Sequence, residues 1–139
     1  MKTHSFLTSL AAAAGLLCLT SCDSKLESLN MEQFDLQTEA AEILLDCEDV
    51  EDVKDAIDDI KAIAEKGREL EKEIKSCASE FKTFKEEEIS ELENTRISNR
   101  LRIAEYKAQG LMADAMLHVA EICKDDNDTL KELKKALED

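Results

Sequence analysis

An all-α fold is what this sequence predicts, and three observations predict it. Beyond residue 21 the chain has no proline and only two glycines, Gly67 and Gly110. Glu, Lys, Ala and Leu dominate, and all four are strong helix formers. β-Branched residues are scattered and never alternate with polar ones over the length of a strand. With aromatics at 4% and charged residues at 37%, the core is expected to be thin, closer to helix seams than to a globule. The expected architecture is an elongated antiparallel helical bundle or hairpin of about three main helices plus a short C-terminal one.

The first stretch stands apart from that domain. Lys2 and His4 give a short cationic start, and Phe6 to Leu19 carries no charge. As a helix this stretch would reach about 21 Å, short of the roughly 30 Å hydrocarbon core of a bilayer. A charged start, a short apolar run and small residues before a break fit a secretory signal peptide over residues 1–21 better than a transmembrane helix. The run ends in Leu19-Thr20-Ser21-Cys22, an aliphatic residue and two small ones before a cysteine. This resembles the lipobox of bacterial lipoproteins. The resemblance implies that the Cys22 thiol takes a diacylglyceryl group and becomes the N-terminus after cleavage. Cys18 fits that pattern poorly, because Leu17 before it is bulky and Gly15 stands where the aliphatic residue belongs. Two or more acyl chains, palmitate among them, anchor stably where one holds only marginally. Asp23 stands where an aspartate resembles an inner-membrane retention signal in enterobacteria, which leaves inner and outer membrane both open as destinations. The resemblance covers about the first 22 residues, and no family is recognised for the rest of the chain.

Removing residues 1–21 takes away one lysine and no acid, so 17 basic and 33 acidic side chains remain and the net charge becomes −16. Anionic lipid headgroups and nucleic acid both repel such a surface, which excludes nucleic acid as a partner. Residues 22–27 are expected to form a lipidated tether and residues 28–139 the helical domain. Ser24-Lys25-Leu26-Glu27 and Asn30-Met31-Glu32-Gln33 each resemble a capping box, so a first helix can start at either and run to about Leu45. Its apolar positions are Phe34, Leu36, Ala40, Ile43 and Leu44. Asp46-Cys47-Glu48-Asp49 then marks a corner, where acids favour the positive end of a new helix.

The clearest pattern begins at Val50. Val50, Val53, Ile57, Ile60, Ile63, Gly67, Leu70, Ile74, Cys77, Phe81 and Phe84 form a heptad-like, coiled-coil seam with one short step at Ile60–Ile63. It passes Gly67 without losing phase, which makes that glycine a close-packing point inside a helix. Weak helix formers cluster at Asn94-Thr95 and Ser98-Asn99, where a turn or kink is expected. A third helix, roughly 100–123, carries Leu101, Ile103, Ala104, Tyr106, Leu111, Ala115, Met116, Val119 and Ile122. After a polar loop, Thr129-Leu130-Lys131-Glu132 is a capping box for a final helix ending near Leu137.

Little chemistry is encoded. Neither Asp46–Asp59 nor Asp125–Ala136 has the central glycine and final glutamate of a calcium loop. Asp114, His118 and Glu121 share a helix face, but the paired Glu-x-x-His motifs of di-iron bundles are missing, so no metal and no cofactor are expected. One histidine beyond the leader and no glycine-rich phosphate loop argue against an enzyme. Arg96, Arg100, Arg102 and Lys107 form the one basic patch, best read as pairing with the chain's own acids. Cys47, Cys77 and Cys123 allow one disulfide in an oxidising compartment. A turn near residue 100 brings Cys77 level with Cys123, whereas a turn near 85 would pair Cys47 with Cys123. Given the turn placed above, Cys77–Cys123 is the expected bond, with three buried thiols as the alternative. The sequence thus points to a lipid-anchored protein of the bacterial cell envelope, on the periplasmic or surface side, acting as a non-enzymatic structural or protein-interaction module through its helices, with self-association included. An acidic surface that sequesters cationic proteins or peptides is the alternative.

Overall fold

The computed structural model describes residues 23–81 and 91–138 of the chain. Four helices make up these residues: α1 (Asp23–Leu45), α2 (Val50–Phe81), α3 (Glu91–Ile122) and α4 (Asn127–Glu138). The protein is an all-α bundle, with three long helices and a short last one. The leader and Cys22 lie outside the described residues, as does Phe84 at the end of the seam.

Side-chain contacts fix the directions of the helices. Arg100 Nη1 meets Glu27 Oε1 at 3.2 Å near the starts of α3 and α1, and His118 Nε2 meets the Cys47 carbonyl at 2.8 Å near their ends. The two helices therefore run parallel, with position i of α1 level with about i+72 of α3. α2 doubles back along α1 after a short corner. Lys54 Nζ lies 3.9 Å from Asp126 Oδ2, which sets the start of α4 beside the start of α2. Farther along, Lys61 and Arg68 share a groove with Glu132 and Ala136, so α4 runs parallel to α2. Up, down, up and down, the helices place α1 against both α2 and α3, and α4 against α2.

Each helix forms for local reasons. Asp52 N donates to Asp49 Oδ1 at 3.0 Å while Asp52 Oδ2 accepts from Glu48 N at 2.9 Å, a reciprocal cap that starts α2. The α2 seam is then buried from Val53 through Ile57, Ile60, Ile63, Leu70 and Ile74. Gly67 is buried inside the continuous helix, as its phase in the seam predicts. At α4 the cap is Asp126, whose Oδ1 accepts from Thr129 N at 3.1 Å. Thr129, expected as the cap, is instead buried inside the first turn.

Two expectations about chain organisation are corrected. Asp23–Glu27, expected as a tether, is helical from Asp23. The Arg100–Glu27 contact and the burial of Leu29 hold this start of α1 against its neighbours, and Asn30-Met31-Glu32-Gln33 lies inside the helix, not at its opening. Asn94–Asn99, expected as a turn, lies inside α3, and the reversal falls between Phe81 and Glu91. Poor helix formers cost only a few tenths of a kcal/mol each relative to good ones. Fully buried Leu101 just downstream offsets that.

α1 is unusual in what it buries. Between Leu29 and Leu44 its covered positions span a wide arc, because two helices pack on it. Asn30, Gln33 and Gln37, at 1%, 3% and 1% exposure, lie at heptad spacing in the middle of that arc. Gln33 Oε1 has no hydrogen-bond partner among the described residues. A buried acceptor without a donor costs about 1–3 kcal/mol. The Gln33→Leu variant is therefore expected to raise the unfolding free energy by about 1 kcal/mol in urea melts.

Candidate functional site

The sequence-derived candidates divide between the corner end of the bundle and the outer face of α3. At the corner, Cys47 is 5% exposed and its thiol donates to the Ile43 carbonyl at 3.3 Å. Cys123 is fully buried at the end of α3. Burial raises the pKa of the Cys47 thiol, and the nearby charges of Asp52, Asp46, Cys123 and Asp49 push the same way. Burial likewise raises that of Cys123, reinforced by Asp126 and partly opposed by Lys54. Both groups are held as protonated thiols at neutral pH, the opposite of an activated nucleophile.

Cys47, Cys77 and Cys123 are all free thiols. Cys77 cannot reach Cys123, which corrects the expected pairing. It lies about 40 Å along α2 from Val50, at 1.5 Å per residue, whereas Cys123 neighbours Cys47 at the corner. The misplaced turn caused the error: with the reversal before residue 91, the register puts Cys47 beside Cys123, as the alternative turn near 85 implies.

His118 is half-buried and its Nε2 is taken up by the Cys47 carbonyl, joining α3 to the corner. It is not gathered with Asp114 and Glu121, which are exposed. Among the described residues no three His, Cys, Asp or Glu side chains converge as metal ligands would. The acids of the corner are used structurally, Asp49 and Asp52 as the cap of α2 and Asp126 as the cap of α4. Hydrogen bonds from the Thr129 amide and hydroxyl, helped by the charge of Lys54, hold the Asp126 carboxyl below the usual carboxylate range. The groove between α2 and α4 is open and lined by mixed charges, Lys61, Glu65, Arg68, Glu132 and Lys135.

The basic patch behaves differently from its expected self-pairing. Arg100 bridges to Glu27, but exposed Arg102 and Lys107 make no ion pair among the described residues. Arg96 has no described side chain. Beside these cations lies the feature that sequence reasoning missed. Ile103, Tyr106 and Leu117 are 57%, 71% and 71% exposed, although the sequence reading puts Ile103 and Tyr106 in the apolar set of the helix. With Gly110, Ala113 and Ala120, all exposed, they form an uncharged stripe with gaps of 3, 4, 3, 4 and 3. The inward stripe of α3, Leu101, Ala108, Met112, Ala115 and Val119, lies on the opposite side. The signal was present in the spacing, since the outer stripe repeats as regularly as the inner one.

Comparison of the chain with protein-family models, curated proteins and solved structures finds no match. Among the described residues no helix is long and apolar enough to cross a membrane.

Two outcomes are expected. In native protein a soluble alkylating reagent modifies the half-exposed Cys77 first, while Cys47 and Cys123 react only on unfolding, as peptide mass mapping would show. The lowered Asp126 pKa stabilises the fold above the ordinary carboxylate range, and that contribution is lost as the pH falls through the folded value. Asp126→Ala therefore lowers the melting temperature at pH 7, and the gap from the parent protein closes in strong acid.

Proposed function

We propose that this protein is a lipid-anchored component of the bacterial cell envelope whose helical bundle serves as a non-catalytic protein-interaction module. Leu19-Thr20-Ser21-Cys22 supports the anchor, with Cys22 as the acylated residue and Asp23 as the position that bears on sorting between membranes. The net charge of −16 beyond residue 21 fits a domain held at the membrane by lipid alone.

The observation that carries the interaction role is the outer face of α3. Contiguous exposed apolar surface on a highly charged protein marks a place where another molecule packs. The α2 seam, the other candidate for pairing between chains, is consumed within the bundle: its residues are buried with α1 and α4 packed against the helix. The acidic corner favours the sequestering of cations less, because Asp49, Asp52 and Asp126 already serve as caps.

Intact mass spectrometry of the protein from its native membrane, without reductant and beside Cys22→Ala, tests the anchor. The expected mass begins at Cys22 and carries acyl chains, and the Cys22→Ala protein keeps its leader and gains no lipid. An unacylated mature chain, or one cut elsewhere, would remove the anchor from this reading.

A further inference from the structure

We propose that the outer face of α3 is an antiparallel docking surface for a second copy of the same chain. The inference rests on the reading of the bundle as an interaction module and not on the lipid anchor. It stands on three features of the helix: its stripe, its glycine and its charges.

The stripe Ile103, Tyr106, Gly110, Ala113, Leu117 and Ala120 repeats as positions a and d of a heptad, the pattern by which one helix packs against another. It spans about 26 Å at 1.5 Å per residue, long enough for a helix–helix contact of five turns. Folded back on itself about a two-fold axis, the stripe is self-complementary. Tyr106 meets the partner copy's Leu117, Ile103 meets Ala120, and Gly110 meets Ala113, so the smallest residues face each other nearest the axis and the large Tyr106–Leu117 pairs pack on either side of that close approach.

Gly110 adds an independent observation. A mid-helix glycine costs roughly 0.5–1 kcal/mol relative to alanine. A Cβ built on Gly110 would meet nothing within 4 Å among the described residues, so no contact among them calls for a glycine there. A second helix crossing at Gly110 and Ala113 would use the missing side chain to approach closely.

The charges select the partner and its direction. Between residues 100 and 123 the helix holds three cations (Arg100, Arg102, Lys107) and three anions (Glu105, Asp114, Glu121), so it is locally neutral in a strongly negative chain. Two like-charged copies can approach there at low electrostatic cost. The cations all lie in the N-terminal half of the stripe, while Asp114 and Glu121 flank the C-terminal half. In heptad terms Arg100, Lys107, Asp114 and Glu121 are successive e positions. An antiparallel pair sets Lys107 beside the partner copy's Asp114, twice by symmetry, and Arg100 toward its Glu121. A parallel pair would instead set Arg102 against the partner copy's Lys107, also twice, and like charges would repel. Lys107 and Asp114 form no ion pair among the described residues of the chain, so both are available.

The test has two arms, both on the full chain. A photo-crosslinking residue replacing Ala113, in cells that make the protein, is expected to give an adduct of twice the chain mass. Adducts only with a different protein would overturn the second copy while leaving the interaction module standing. No adduct at all would overturn both. For direction, dimer dissociation is measured by sedimentation equilibrium in detergent, with helix content checked by circular dichroism. Lys107→Asp is expected to weaken association about tenfold, because two attractive pairs become repulsive. Lys107→Asp combined with Asp114→Lys should restore it to within about threefold, since the swapped charges again face each other. A combined variant as weak as the single one, or a parent chain that stays monomeric, would overturn the antiparallel pair.

Discussion

Leu44, fully buried near the end of α1, lies in the middle of an arc that two helices must cover at once. That double contact is the constraint on which the bundle depends. α2 doubles back along α1 from a short corner, and α3 returns parallel to α1 with its register held at both ends by Arg100–Glu27 and His118–Cys47. With α1 in the middle, neither α2 nor α3 needs a broad apolar face of its own. A chain with so few aromatics can then build a core from narrow seams, each closed against the same central helix. α4 completes the arrangement by covering α2 with Leu133, Ala136 and Leu137 where α1 does not.

How much of this was legible in the sequence depends on the element. The α2 seam could be read almost residue by residue, because a helix packed along a single stripe writes its period directly. The corner at Asp46–Asp49 and the existence of a final helix were legible too, since capping is a local interaction. The turn was not. Asn94, Thr95, Ser98 and Asn99 are poor helix formers, but α3 passes through them because downstream packing at Leu101 outweighs a weak local preference. That single displacement carried over into the cysteines, moving the neighbour of Cys123 from Cys77 to Cys47.

α1 shows a different limit. Its buried arc includes Asn30, Gln33 and Gln37, so a search for apolar periodicity sees a weaker pattern than the packing would suggest. A polar residue at a buried seam position is tolerated at a cost in stability, and its best-attested use is to fix which register the helices adopt. Here three such residues, Asn30, Gln33 and Gln37, are interleaved with Leu29, Phe34 and Leu36, while the buried positions beyond them, Ala40, Ala41 and Leu44, are all apolar. The helix thus presents different chemistry along its length to the same neighbours, which disfavours sliding by a turn.

α3 marks the boundary between what spacing reveals and what only three dimensions reveal. Two stripes with heptad spacing run along it, and sequence alone gives no means of saying which faces inward. Leu101, Ile103, Ala104 and Tyr106 read as one apolar cluster; in the fold Leu101 is covered and Ile103 and Tyr106 are not. The outer stripe has consequences for any anchored form of the protein. Glu27 is level with Arg100, so Asp23 sits near the level of residue 96, about 23 Å from the centre of the stripe at 1.5 Å per residue. In a two-fold antiparallel pair the starts of the two α1 helices would fall at opposite ends, about 46 Å apart by the same rise. Because α1 is already helical at Asp23, acyl chains on Cys22 would have little slack with which to bridge that separation. Two copies on one membrane would then lie along its surface, and copies standing upright could pair only across two facing membranes.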